Sequence, residues 1–157
     1  MSKVAVVYWS GTGNTEAMAY YVTEGAKAAG AEVDVFTSAE FSADKAGEYP
    51  AIAFGCPSMG AEQLEESEFE PMFEEVKTKL GGKRIGLFGS YGWGDGEWMR
   101  IWEDDCSKLG CTMAAGPVLA NGAPDDTAAE ECRALGGALA HPYGRRQPWR
   151  PSWQTCQ

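Results

Sequence analysis

The sequence predicts an α/β fold, a three-layer α/β/α sandwich around a five-stranded parallel sheet of strand order 2-1-3-4-5. Short apolar segments typical of buried parallel strands alternate with segments whose apolar residues recur at helical spacing. Such alternation indicates right-handed crossovers that cover both faces of one sheet. A chain of 157 residues with 44% hydrophobic residues is enough for one core, so we expect a single domain.

The first half of the chain contains three predicted strands. Residues 3–8 are rich in valine and end at a cluster of small polar residues, as a buried strand before a loop does. A helix follows, with Gly30 as its end, and residues 31–36 and 50–55 supply two more strands. The segment between those strands is polar and has little periodicity, so no element is assigned to it.

The second half continues the alternation. The helix-type segments are carried by Phe69, Met72, Phe73, Val76 and Leu80, then by Trp98, Ile101, Trp102, Cys106 and Leu109, and finally by Ala128, Cys132, Leu135 and Leu139. Pro71 falls in a first turn, where proline is tolerated, and glycines end the first two helices. Strands are predicted at 83–90 and 112–120, and in such a sheet a ligand binds beyond the carboxyl ends of the strands.

Charge and cysteine content exclude several classes of protein. The formal net charge of −10 argues against nucleic acid as a partner and favours a basic protein. There is no apolar run long enough to span a membrane and no signal-peptide pattern, so we expect a cytoplasmic protein. The five cysteines are Cys56, Cys106, Cys111, Cys132 and Cys156, an odd number without a CxxC pair, which predicts free thiols and no zinc site.

Residues 141–157 differ from the rest of the chain. They contain three prolines, three arginines and two tryptophans but no acidic residue, so residues 1–140 carry −13. We expect residues 1–140 to form the folded domain and 141–157 to be a disordered basic tail. Two other interpretations stay open, a docking segment anchored by Trp149 and Trp153, or an end that is foreign to the protein.

The loop that follows the first strand has the composition of a phosphate site. Residues 10–15 (SGTGNT) combine two glycines with hydroxyl and amide side chains in front of a helix N-terminus. The segment lacks the lysine of a P-loop, and Glu16 stands where a Rossmann fingerprint needs its third glycine. These residues favour a phosphate monoester held by neutral donors, although a simple turn and helix cap would also use them.

Three motifs in the expected order resemble the flavodoxin family, in its short-chain clostridial and Megasphaera-like form. They are YWSGTGNTE (8–16), GCPSMGAEQLEESEFEP (55–71) and GSYGWGDGEWM (89–99), and the resemblance covers about residues 1–140. It implies a non-covalently bound FMN whose phosphate is held by Ser10, Gly11, Thr12, Gly13, Asn14 and Thr15. It implies further contacts from Ser58, Met59, Gly60, Ala61, Glu62, Ser90, Tyr91, Gly92, Trp93, Gly94 and Asn121.

The resemblance also implies individual roles for these residues. The peptide between Met59 and Gly60 would flip to accept a hydrogen bond from the flavin N5–H, which stabilises the neutral semiquinone. Glu62 would accept a hydrogen bond from the flavin N3–H, and Ala61 would tune the potential. Trp93, between two glycines, would stack on the outer face of the ring.

The function implied is a low-potential one-electron carrier rather than an enzyme that acts on a small substrate. Acidic residues follow both flavin loops, namely Glu62, Glu65, Glu66, Glu68, Glu70, Asp95 and Glu97. These carboxylates are expected to surround the exposed flavin edge and to make a second reduction of the flavin harder. They are also expected to steer the basic docking surfaces of ferredoxin-using enzymes toward this protein, which we expect to be a monomer.

Two other functions occur on the same sheet topology. An FMN-dependent NAD(P)H or quinone oxidoreductase would need a second substrate pocket, and there is no long insertion to build one. A phosphoacceptor signalling domain of the same topology would need acidic residues after the first strand, where this chain has Tyr8, Trp9 and Ser10.

Overall fold

The structure is a computed structural model of the 157-residue chain, and it describes residues 3–11, 13–58, 65, 67–92 and 96–140. The predicted tail, 141–157, lies outside the described residues. The strands are β1 (Lys3–Tyr8), β2 (Glu32–Thr37), β3 (Ala51–Gly55), β4 (Arg84–Tyr91), β5 (Thr112–Met113) and β6 (Val118–Asn121). The helices are α1 (Asn14–Ala28), α2 (Ala43–Ala46), α3 (Phe69–Val76), α4 (Glu97–Ser107) and α5 (Asp126–Ala140).

One parallel sheet runs through the molecule in the order β2-β1-β3-β4, and both β5 and β6 pair with the free edge of β4. The predicted order 2-1-3-4-5 is therefore confirmed. The prediction of one continuous strand over 112–120 is wrong, because β5 and β6 are separate segments that share the fifth position. Arg84 is opposite Thr112 but Phe88 is opposite Val118, so the edge strand contains two extra residues between its two paired segments.

The residues between β5 and β6 explain this interruption. They are Ala114, Ala115, Gly116 and Pro117, and proline has no N–H to give to a sheet ladder. The ladder continues only to the hydrogen bond from the Ala114 N–H to the Ile85 carbonyl, at 2.9 Å. An interruption is tolerated here because it lies on an edge strand.

Helices cover both faces of the sheet. On one face α1 and α5 pack over Val4, Val6 and Phe88, and on the other α2, α3 and α4 pack over Val7, Ile52 and Phe54. The second core contains a group of aromatic residues, Phe54, Phe69, Phe73 and Trp102, in which Phe69 stacks on Phe73 and the other ring contacts are edge to face. None of the helices in the described part of the chain combines the length and the apolar composition that crossing a bilayer requires.

The polar segment before β3 contains short helical structure that the sequence pattern did not predict. A 3-10 turn, Ser38–Glu40, begins at a capping box in which the Thr37 N–H donates to the Glu40 carboxylate at 2.9 Å. Helix α2 begins after Ser42, whose hydroxyl accepts from the Lys45 N–H at 3.4 Å. Elements of one turn have no apolar period, so only their capping residues could have indicated them.

Two helix glycines allow α1 and α5 to lie against each other. A Cβ on Gly25 would be 2.0 Å from the Arg133 carbonyl oxygen, and a Cβ on Gly136 would be 2.0 Å from the Val22 carbonyl oxygen. The backbone of the neighbouring helix fills the space that a side chain would need. Helix packing, and not a turn, therefore requires glycine at both positions.

Replacing Gly136 by alanine is expected to lower the free energy of unfolding by about 1–3 kcal/mol, because the added methyl group must push two helix backbones apart. Gly137 is the matched control, since no atom of the described residues lies within 4 Å of a Cβ placed there. Gly137→Ala is expected to raise stability by about 0.5–1 kcal/mol through helix propensity. Urea unfolding of both variants followed by circular dichroism measures the difference. Equal effects in the two variants would contradict the close helix contact.

Candidate functional site

A cavity of about 260 Å³ opens at the carboxyl ends of the central strands. Its described walls come from the segments that follow β1, β3, β4 and β6, which is the edge of the sheet where the topology rule expects a ligand. The lining residues are Trp9, Gly11, Asn14, Pro57, Ser58, Ser90, Tyr91, Gly92 and Gly122. None of them carries a charge.

Backbone hydrogen bonds fix where each loop leaves the sheet. The Ser58 N–H donates to the Ser90 carbonyl at 3.0 Å, so the β3 segment stays paired to β4 beyond the end of the strand. The Trp9 N–H donates to the Gly55 carbonyl at 3.0 Å, and the Gly122 N–H donates to the Tyr91 carbonyl at 2.9 Å. The loops that bound the cavity therefore begin at defined positions.

The start of α1 is organised by the hydroxyl of Ser10. Its oxygen accepts hydrogen bonds from the Gly13 N–H at 3.0 Å and from the Glu16 N–H at 3.3 Å. Gly13 has a φ of 96°, a left-handed conformation that favours glycine, and it directly precedes the helix. The Ser10 hydroxyl still has its own proton to donate, and the helix N-terminus attracts negative charge, so this loop can hold an anion without a cationic side chain.

A hydroxyl pair joins the helix start to the neighbouring strand. Thr15 and Ser90 are buried, at 1% and 5% exposure, and their hydroxyl oxygens are 3.3 Å apart. Ser90 is at the carboxyl end of β4, so this contact fixes the first turn of α1 relative to the floor of the cavity.

Glu65 is buried at 6% exposure, and it is not part of an acidic rim as the sequence suggested. Its carboxylate accepts hydrogen bonds from the N–H groups of Ser67, Glu68 and Phe69 at 2.8–2.9 Å, and from the Ser67 hydroxyl. Burial alone would raise the pKa of this carboxyl, but the four hydrogen bonds outweigh burial and hold the pKa below its ordinary value. Glu65 thus caps the start of α3.

The backbone of Glu65 closes the segment between β3 and α3. Its N–H donates to the sulfur of Cys56 at 3.3 Å, and Cys56 directly follows β3. The two ends of residues 57–64 are therefore held together. Burial raises the pKa of the Cys56 thiol to about 12, so the thiol stays protonated and its role here is structural.

The structure brings many of the sequence-predicted site residues together. The cavity is lined by Gly11, Asn14, Ser58, Ser90, Tyr91 and Gly92, while Ser10, Gly13 and Thr15 organise its phosphate-type loop. Asn121 is exposed at the end of β6 and does not line this cavity. Thr12, Met59, Gly60, Ala61, Glu62, Trp93 and Gly94 lie outside the described residues.

Sequence reasoning missed three lining residues, Trp9, Pro57 and Gly122. Each directly adjoins a segment that was predicted, and Gly122 has a φ of 75° at the turn after β6. Their shared signal was position, because every residue just beyond a strand end on this edge of a parallel sheet is a candidate for the site. Gly122 lies two residues beyond the end of the strand predicted over 112–120, so the same signal applies to it.

The family model and the relatives that match most of this chain indicate one family. The family model described as "Flavodoxin" matches residues 6–136. The flavodoxin of Megasphaera elsdenii is 47% identical over 87% of this chain and 98% of its own length, and that of Clostridium beijerinckii is 43% identical over 87% and 98%. The solution structure of two-electron reduced Megasphaera elsdenii flavodoxin superposes with a TM-score of 0.81, covering 87% of this chain and 98% of that one.

Glu65→Gln is expected to lower the free energy of unfolding by about 1–3 kcal/mol at pH 7, because an amide N–H₂ replaces one of the two accepting oxygens. The folded-state pKa is lowered, so the ionised carboxylate stabilises the fold above the ordinary glutamate pKa of about 4.3. That contribution is lost as the pH falls through the folded-state pKa. The gap between wild type and variant should therefore shrink in acid, as measured by urea unfolding between pH 7 and pH 3.

Glu70→Gln is the control for this experiment, because Glu70 is an exposed residue in the first turn of α3, the helix that Glu65 caps. Its unfolding free energy should stay within about 0.5 kcal/mol of wild type at pH 7. If the difference in unfolding free energy between wild type and the Glu65 variant does not change with pH, the charge of the Glu65 carboxylate contributes nothing to stability.

Proposed function

The chain belongs to the flavodoxin family, and on that premise we propose that the cavity beyond β1, β3 and β4 is the site where it holds FMN. The protein is an electron carrier that binds FMN, and it is not an enzyme that acts on a small substrate. The observation that carries the choice of site is the convergence of the segments that follow β1, β3, β4 and β6 on one cavity in front of the α1 N-terminus, with no charged side chain among its described lining residues.

The residues of the cavity fit FMN on their own chemistry. A phosphate monoester needs several hydrogen-bond donors, and the Ser10 hydroxyl, the Asn14 amide and the backbone N–H groups at the helix start supply them. A flat ring system needs close approach of backbone, and a Cβ on Gly92 would meet no atom of the described residues within 4 Å. Trp9, Tyr91 and Pro57 offer apolar surface to such a ring.

We place Ser10, Gly11, Thr12, Gly13, Asn14 and Thr15 at the phosphate, as the resemblance implies. For the ring we retain Met59, Gly60, Ala61 and Glu62 with Ser58, and Tyr91, Gly92, Trp93 and Gly94 with Ser90. Asn121 remains a candidate contact at the end of β6. We add Trp9, Pro57 and Gly122, which line the same cavity.

When bound, FMN supplies the electron-transfer chemistry. The chain supplies the environment: neutral donors that leave the negative charge of the phosphate uncompensated, and described cavity walls that contain no cationic side chain. Negative charge on a reduced ring is costly in such a site, and this cost favours transfer of one electron at a time at low potential.

For partners we infer redox proteins with basic docking surfaces, of the kind that also use ferredoxin. The formal charge of −10 and the exposed carboxylates of Glu68, Glu70 and Glu97 near the loops of the site support fast, salt-sensitive encounters. We expect the protein to act as a monomer. We expect the cytoplasm as its compartment, because Cys56, Cys106, Cys111 and Cys132 are all free thiols.

The alternative function, an FMN-dependent NAD(P)H or quinone oxidoreductase, is not favoured. The relatives that match this chain over 98% of their own length are flavodoxins. Those alignments use 87% of this chain, which supports residues 141–157 as a tail outside the FMN-binding domain of residues 1–140.

Ser10→Ala is expected to weaken FMN binding by roughly ten- to a hundredfold, because a hydrogen bond to a charged group contributes about 1.5–3 kcal/mol. Riboflavin has no phosphate, so its affinity should be unchanged. Fluorescence quenching titrations of the apoprotein with both flavins measure the two affinities. Ser107→Ala is the control, since that hydroxyl donates to the Asp104 carbonyl on the exposed end of α4. Equal losses for FMN and riboflavin would contradict the phosphate role of Ser10.

Stepwise reduction of the holoprotein with dithionite, followed by visible spectroscopy, tests the carrier function. We expect two resolved one-electron steps, because negative charge around the cofactor opposes the second reduction. The companion measurement is steady-state oxidation of NADH and NADPH by the same preparation, which should be negligible. Rapid NAD(P)H turnover, or a colourless protein that refuses added FMN, would overturn the proposal.

A further inference from the structure

Cys106 and Cys111 form a thiol pair at the end of the sheet opposite the cavity. Cys106 lies in the last turn of α4, and Cys111 directly precedes β5, which pairs with the first residues of β4. The Cys111 thiol donates to the Cys106 carbonyl oxygen, with 3.0 Å between sulfur and oxygen. Cys106 is fully buried and Cys111 is half-buried against the same core cluster.

The turn between the two cysteines is fixed by its own hydrogen bonds. Gly110 has a φ of 81°, and the Leu109 N–H donates to the Cys106 carbonyl at 3.0 Å. The Gly82 N–H donates to the Gly110 carbonyl at 3.0 Å, which ties the turn to the start of β4. The chain therefore reverses within five residues and returns the second thiol to the first.

We propose that Cys106 and Cys111 are a redox modification site, in which a disulfide oxidant such as oxidised glutathione converts the two thiols to an intramolecular disulfide. Cys111, the accessible partner, attacks one sulfur of oxidised glutathione as a thiolate and releases one glutathione thiol. The Cys106 sulfur then attacks the Cys111 sulfur of the mixed disulfide and releases the second glutathione thiol. Two electrons pass from the cysteine pair to the oxidant, and each thiol proton ends on a released glutathione.

The other described thiols do not share this chemistry. The hydrogen bond between the two thiols lowers the pKa of Cys111 and raises that of Cys106, whereas burial raises the pKa of both Cys56 and Cys132 to about 12. Cys111, which is also the more accessible of the two, is therefore the attacking thiol, and Cys106 is the adjacent resolving thiol. In a reducing compartment the pair stays open, and an oxidant closes it reversibly.

The experiment uses the FMN-loaded Cys156→Ser protein, which keeps the four cysteines of the described fold. After incubation with oxidised glutathione, free thiols are titrated in denaturant and the intact mass is measured. We expect four thiols to become two, with a mass lower by two hydrogen atoms, and a tryptic disulfide that links the peptides cut apart after Lys108. The visible spectrum of the flavin should stay unchanged, because the pair is at the far end of the sheet.

Two further variants identify the reacting thiols. Cys111→Ser should abolish thiol loss, whereas Cys132→Ser should still lose two thiols, and both changes leave the buried Cys106 in place. Three outcomes would each overturn the proposal. They are a loss of two thiols that persists in Cys111→Ser, a stable glutathione adduct on Cys111 without the internal disulfide, and no reaction. None of these results depends on whether FMN occupies the proposed cavity.

Discussion

The pairing of β3 with β4 beyond the end of the strand is the constraint on which the site depends. It centres on Cys56, whose N–H donates to the Phe88 carbonyl at 3.1 Å and whose carbonyl accepts the Trp98 indole N–H at 3.2 Å. Its sulfur accepts from Glu65, so this residue joins the sheet, α4 and the start of α3. A Cβ on Gly89 would lie 2.2 Å from the Cys56 carbonyl oxygen, and only glycine leaves room for this arrangement.

An acidic protein that binds a phosphate without cationic side chains must limit repulsion of the anion by its own carboxylates. In the proposed anion site the donors are hydroxyl, amide and backbone groups, and the positive end of α1 supplies the favourable field. Glu16 is in the first turn of that helix, but its carboxylate accepts a hydrogen bond from the Tyr8 hydroxyl at 3.1 Å. Burial and this contact raise the pKa of Tyr8, so the phenol stays neutral and remains a donor.

The fold was predictable because long helices and strands have a recognisable apolar periodicity in the sequence. The predictions that were wrong or missing concern features that this periodicity does not show. The strand pattern over 112–120 continued through Pro117, whereas the ladder is interrupted because its opposing register slips by two residues. A single sequence does not show which residues of the neighbouring strand pair with this segment, so the interruption could be seen only in the folded sheet. The packing role of Gly25 and Gly136 could not be predicted from the sequence either. Glycine is required at both positions because the backbone of the neighbouring helix occupies the space of a side chain.

The site and the cysteine pair differ in how far local sequence describes them. The proposed phosphate loop is contiguous, so the composition of residues 10–15 was enough to propose it, but the buried role of Glu65 depends on donors that only a folded helix start presents. The cysteines lacked a CxxC spacing and were expected to be independent thiols. A helix end followed by Gly110 brings residues five apart into contact. Spacing rules for thiols therefore fail at a helix C-terminus, where the turn geometry decides which side chains meet.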